Sequence, residues 1–183
     1  VSRPSNRPAI MDAALRVAER AGVGGITIES VAAEAGLTKG GVIYHFPTRA
    51  ALVAGIHREL ADRWEQQMRE LLGGDPEDAS QRDRLAAYIR ASAATATPGE
   101  YLFVSDAETT RNNVAPWDEV SRRWIADPPA ARTDGSYDPE ELRLFTAQLA
   151  ADGLWSHEFV NGQRMAPELR AAAAEAIIRS LDD

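Results

Sequence analysis

Leu52, Ile56, Leu60, Trp64, Met68 and Leu72 recur at a strict four-residue spacing. A stripe of that period is one slowly drifting face of a helix of about 25 residues, roughly 37 Å long. It begins near Thr48, a natural N-cap, and Gly73-Gly74-Asp75-Pro76 breaks it. Helical periodicity continues through most of the chain. It predicts about nine helices, over residues 8–21, 28–35, 39–45, 48–72, 80–96, 100–113, 116–126, 139–160 and 166–181. The stops between them are explicit: Gly22, Gly24 and Gly25, then Gly36, Pro47, Pro98-Gly99, a Pro/Asp/Gly-rich loop over 127–139, and Asn161-Gly162. The β-branched clusters Ile26-Thr27-Ile28 and Val42-Ile43-Tyr44 are too short for strands. Composition agrees, with 33 alanines against 13 glycines and 10 prolines. An all-α fold is expected.

Several function classes are disfavoured at once. The absence of cysteine excludes a disulfide framework and thiolate metal sites. There is no apolar run long enough to span a bilayer, and the opening VSRPSNRPAI lacks the apolar core of a signal peptide. A cytoplasmic protein without a membrane partner is therefore expected. His45, His57 and His157 are widely separated. Ser105-Asp106 and Ser156-His157 are neighbours in sequence only, and no metalloprotease, nucleophile-elbow, phosphate-loop or cofactor signature occurs. Neither catalysis, nor a metal, nor a cofactor is expected. The net charge is −8, which argues against nucleic acid until its distribution is considered. Residues 1–50 hold six basic and four acidic side chains, and the remaining acids lie further on.

The segment TIESVAAEAGLTKGGVIYHF, residues 27–46, carries the most information. It reads as a helix-turn-helix. Ala32 is small where two short helices cross, Gly36 can take positive φ at the turn, and Leu37, Val31, Ala35 and Val42 fill the inside. What the second helix leaves outside is Thr38, Lys39, Gly40, Gly41, Tyr44 and His45. Two adjacent glycines weaken a helix by about 1 kcal/mol each relative to alanine. They suit a helix whose backbone must come close to a groove or a phosphate. Lys39, the chain's single lysine, sits at the N-terminus of that helix and can reach a phosphate or a guanine edge. Tyr44 and His45 can donate to phosphate oxygens.

With these residues in place, the stretch from about 8 to 56 resembles the TetR family of bacterial transcription regulators. The family's recognition helix ends in Tyr-His-Phe, here Tyr44-His45-Phe46, and its fourth helix opens with a hydroxyl residue, a base and a leucine three residues on, here Thr48, Arg49 and Leu52. Ile43 stands where many members have an aromatic residue. The resemblance implies a helix-turn-helix DNA-binding domain over 1–47 and a helical ligand-binding and dimerisation domain over 48–183. It implies a homodimer that covers a palindromic operator as a repressor and is released by a small-molecule effector through the 48–72 helix. It carries DNA contact onto Thr27, Thr38, Lys39, Gly40, Gly41, Tyr44, His45, Thr48 and Arg49. Of these, Lys39 and Gly41 are expected nearest the base edges; Thr27 and Thr48 also have the simpler reading of helix caps. Arg3 and Arg7 form a candidate basic arm.

In the body, Trp64, Met68, Tyr88, Phe103, Trp117 and Trp124 are candidate effector contacts, each also readable as core. Leu142, Phe145, Leu149 and Gly153 on one terminal helix, with Leu169, Ala173, Ile177 and Leu181 on the other, form a candidate dimer surface. Paired with its two-fold copy it would make a four-helix bundle. The competing reading is a helical small-molecule-binding or interaction protein that no longer reads DNA.

Overall fold

The structure, a computed structural model, describes residues 5–94 and 96–182. Arg3, half of the candidate arm, lies outside them. Among the described residues there is no strand. Ten α-helices follow one another: α1 (Arg7–Ala21), α2 (Ile28–Ala35), α3 (Lys39–His45), α4 (Arg49–Leu72), α5 (Gln81–Ser92), α6 (Pro98–Ser105), α7 (Ala107–Asn112), α8 (Ala115–Trp124), α9 (Pro139–Asn161) and α10 (Pro167–Arg179), with a 3₁₀ turn at Val23–Gly25. The extra helix relative to the expected nine comes from residues 100–113, which form α6 and α7. Asp106 separates them. Its backbone is extended, and its carboxylate accepts the Thr109 N–H at 2.9 Å, so it ends one helix and caps the next.

The chain divides into two compact units that do not follow its order. One joins the residues up to Ala61 with Thr97–Trp117, and the other joins Asp62–Ala96 with Asp118–Asp183. Helix α4 is continuous and supplies buried residues to both, Leu52 and Ile56 to the first and Met68 to the second.

The first unit is built on α1, whose Ile10, Met11, Ala13, Ala14, Leu15, Val17 and Ala18 are all buried. They share a core with Ile26, Val31, Val42, Phe46, Leu52, Ile56 and Phe103. Two glycines set how closely helices approach. A Cβ at Gly99 in α6 would lie 2.5 Å from the Leu15 carbonyl oxygen of α1, and one at Gly55 in α4 would lie 2.5 Å from the Phe46 ring. Helix α6 therefore rests on the α1 backbone, and the Phe46 ring packs directly against α4 at Gly55. Glu34 of α2 accepts from Arg16 at 2.8 Å and pairs with Arg20 at 3.0 Å, tying α2 to the outer face of α1.

The second unit packs α5, α9 and α10 against one another. Arg170 of α10 is buried inside it and satisfies the end of α5. Its Nε donates to the Ala93 carbonyl at 2.8 Å and its Nη2 to those of Ser92 and Ala94 at 3.3 and 3.2 Å. Its Nη1 reaches Glu158 of α9 at 3.3 Å. Helix C-termini leave unpaired carbonyls, and here one guanidinium collects them while joining three helices. Truncating it strands those acceptors in the interior. Arg170→Ala is expected to lower stability by about 3 kcal/mol, read from the urea midpoint; a loss under 1 kcal/mol would show the clamp to be incidental.

Candidate nucleic-acid interface

Three threonines frame the first unit's exposed end. Thr27 accepts the Ser30 N–H at 3.0 Å while Ser30 Oγ accepts the Thr27 N–H at 2.9 Å, a reciprocal cap on α2. Thr38 caps α3 by accepting from Gly41 N–H at 3.0 Å, and Thr48 caps α4 by accepting from Ala51 N–H at 3.0 Å. All three remain exposed, so capping leaves them at the surface. Between α2 and α3, Gly36 adopts φ +65, and the Leu37 N–H reaches back to the Ala32 carbonyl at 2.9 Å. This closure ends α2 within one residue and sends the chain into α3.

Helix α3 is held from one side only. Val42 and Phe46 are buried, whereas Thr38, Lys39, Gly40, Ile43 and Tyr44 are exposed, Tyr44 at 83%. His45 is half-buried, its ring edge-on to Tyr44 with centroids 5.0 Å apart. Gly40 and Gly41 are not required by the fold. A Cβ at Gly40 would meet nothing nearer than 4.0 Å, and one at Gly41 nothing nearer than 3.4 Å. Both are ordinary contacts, unlike those at Gly55 and Gly99. The pair leaves the start of α3 without side chains over its backbone, a surface that a groove wall or phosphate can approach closely.

Three basic residues here are engaged. Arg49 donates from Nε to the Ile26 carbonyl at 2.7 Å and from Nη2 to the Val23 carbonyl at 3.2 Å, fastening the first turn of α4 to the connection before α2. It positions this end of the molecule. The Lys39 ammonium sits 2.5 Å from Glu29 in the first turn of α2, with both side chains more than half exposed. The Arg7 guanidinium lies 4.8 Å over the Phe46 ring.

The six candidate effector contacts fall in separate places. Phe103 and Trp117 belong to the first unit, where they surround His57, a buried residue that periodicity alone did not single out. Trp117 Nε1 donates to His57 Nδ1 at 3.1 Å, and the Phe103 ring centroid is 4.6 Å from the imidazole. The His57 Nε2 is buried and has no partner among the described residues. Burial pushes the imidazole down to about 4, against a weaker upward pull from Asp106. In the second unit Trp64 and Tyr88 meet edge-to-face, 5.4 Å apart, and the Tyr88 hydroxyl donates to Asp152. Met68 is fully buried. Trp124 lines a cavity of about 300 Å³ with Leu85, Pro128, Leu144 and Phe145, and its buried indole N–H has no acceptor among the described residues. Of the dimer candidates, Leu142, Leu149, Gly153 and Leu169 are exposed. Phe145, Ala173 and Ile177 are half-buried, and Leu181 is buried within its own unit.

Comparison with known proteins agrees with this architecture. The family model for the bacterial regulatory proteins of the tetR family matches residues 10–56, and the model for the tetracyclin repressor-like C-terminal domain matches residues 82–182. The chain belongs to the TetR family. Solved structures share its fold. One from Rhodococcus sp. is 21% identical with a TM-score of 0.65, covering 98% of each chain. Another from Pseudomonas aeruginosa PAO1 is 22% identical with a TM-score of 0.63, covering 96% of this chain and 89% of its own. The multidrug binding protein EbrR in complex with ethidium is 23% identical with a TM-score of 0.55, covering 98% of this chain and 99% of its own. No curated protein matches the chain. Among the described residues no helix is long and apolar enough to cross a membrane.

Two expectations follow from this TetR-family geometry. Gly40→Ala should stabilise the protein by about 0.5–1 kcal/mol, because the methyl enters open space on a helix. It should also weaken binding to a cognate duplex about tenfold by holding the backbone away. Thermal unfolding and duplex titration of the same sample check both, and unchanged duplex affinity would remove the glycines from the interface. For His57, the unfolded chain takes up a proton between pH 6.5 and about 4 that the folded chain refuses. Stability should therefore fall as pH drops through that window. His57→Phe should flatten this part of the profile of urea midpoint against pH; parallel profiles would contradict it.

Proposed function

We propose that this TetR-family chain is a repressor that pairs with a second copy, covers a palindromic operator with one α3 per half-site, and leaves it when a small molecule binds its body. The observation that carries the DNA-reading part is α3 itself. It is buried on one side through Val42 and Phe46, and on the other offers bare backbone at Gly40 and Gly41, with Lys39, Tyr44 and three capping threonines around it. A fold with no use for that surface would gain from filling it.

Pairing is supported by the second unit. Leu142, Thr146, Leu149, Gly153 and Val160 fall along one exposed face of α9, and Leu169, Ala172 and Ala176 along one of α10. Leu149, Leu169 and Val160 are 53, 57 and 67% exposed, more apolar surface than isolated helices leave open without a partner. In this arrangement residues 1–47 read DNA, and 48–183 bind effector and pair. The cavity beside Trp124 supports effector binding in the body, and the ethidium complex of EbrR shows that a protein of this fold holds a small molecule. No residue is assigned a catalytic task, and the protein acts in the cytoplasm.

Selection of bound duplexes from a random pool tests the reading. An inverted repeat should be enriched, with half-sites about one helical turn apart. Lys39→Ala should weaken binding to that repeat about tenfold or more and make its salt dependence shallower. Leu149→Glu should turn a dimer into a monomer by mass in solution. A pool that returns no enriched sequence would favour a helical ligand-binding protein that does not read DNA.

A further inference from the structure

The ion pair across the top of the helix-turn-helix is the least expected feature of the reading surface. Lys39 is the chain's single lysine and stands at the first position of α3, where a cation is best placed for a phosphate or a guanine edge. Its ammonium is nevertheless 2.5 Å from Glu29 Oε1, with the two side chains 60 and 62% exposed. Glu29 has no structural need of this partner. It occupies the first turn of α2, where the helix N-terminus already favours a carboxylate, and α2 is capped separately by Thr27 and Ser30. Of the other bases at this end, Arg49 donates to the Ile26 and Val23 carbonyls and Arg7 lies over the Phe46 ring. Lys39 supplies the cation at the start of α3 itself, and Glu29 offsets that charge.

Attraction to duplexes of any sequence scales with the number of cations free to displace counterions. A lysine held by a carboxylate contributes little to that attraction as long as the pair survives the encounter. An exposed pair is weak, and a guanine presenting O6 and N7 together can take the ammonium away. Lys39 can stay with Glu29 on a poorly matched duplex, where phosphates are met at a distance, and leave it where α3 seats fully in the groove.

We propose that Glu29 is a specificity-determining residue of this DNA-binding surface: its carboxylate withholds the Lys39 ammonium from non-cognate duplexes and releases it only where α3 seats against a matching base edge. The inference rests on the DNA-reading proposal above and adds a discriminating role to a residue on the neighbouring helix.

The test compares wild type, Glu29→Gln, Lys39→Ala and the double variant, with unfolding checked for each. Two duplexes are used: the sequence that the wild type selects from a random pool, and a scrambled duplex of the same length and composition. Both are titrated over a range of salt concentrations. Glu29→Gln should bind the scrambled duplex about two- to fivefold more tightly, the range of an exposed ion pair. Its salt slope there should steepen by about one ion per protomer. The selected duplex should gain less, so the ratio between the two falls. In the Lys39→Ala background the same change should have little effect. Equal gains on both duplexes, or a gain that persists without Lys39, would mean that Glu29 is only a general repulsive charge and would overturn the inference. An unchanged scrambled affinity and slope would overturn it too. Should neither wild type nor Glu29→Gln bind any duplex, the DNA-reading proposal itself fails, and the inference falls with it.

Discussion

A seven-residue helix carrying two glycines cannot hold itself together in water. Helix α3 persists because everything around it is fixed first. Gly36 turns the chain with a left-handed backbone, Leu37 N–H closes on Ala32, and Thr38 takes up the Gly41 N–H at the new start. Val42 and Phe46 anchor its inner side to a core built on α1 and α4. Stability is thus supplied from outside α3, which frees its outer side from any packing duty. The reading surface follows from that division of labour, as does the tolerance for glycine where a structural helix would carry alanine.

The same economy governs the elements behind α3. Arg49 joins the start of α4 to the loop before α2, and Gly55 lets the Phe46 ring lie against α4. Gly99 sets α6 directly on the α1 backbone at Leu15. His57, enclosed by Phe103 and Trp117, is the polar centre of the part of this unit contributed by α4, α6 and α8. Helix α4 thereby meets the Phe46 end of α3, and α6 meets the α1 backbone, through close contacts with little slack.

Local signals made much of this legible in the sequence. Thr27, Thr38 and Thr48 cap the helices they open, Gly36 takes the turn, and of the α4 stripe Leu52, Ile56, Leu60 and Met68 are buried while Trp64 and Leu72 are half-buried. These are one-dimensional facts, settled by a residue and its neighbours within four positions. What escaped depends on partners far along the chain. Nothing near Arg49 announces that its guanidinium will meet carbonyls 23 and 26 residues earlier, or near Arg170 that it will close the end of α5. That Phe103 and Trp117 meet at His57 is likewise invisible locally; Gly99, which brings α6 onto α1, is part of what places Phe103 there. The break at Asp106 rests on its extended backbone and its bond to the Thr109 N–H, which the surrounding helical pattern does not announce.

The central claim is that the bare start of α3 enters the major groove of duplex DNA at two sites on one face. Methylation of guanine N7 by dimethyl sulfate reports that groove directly. On a duplex selected by the protein, guanines should be protected in two clusters about one helical turn apart, and Gly40→Ala should weaken both clusters together. Full protein occupancy with every guanine N7 still reactive, or protection confined to a single cluster, would contradict the account.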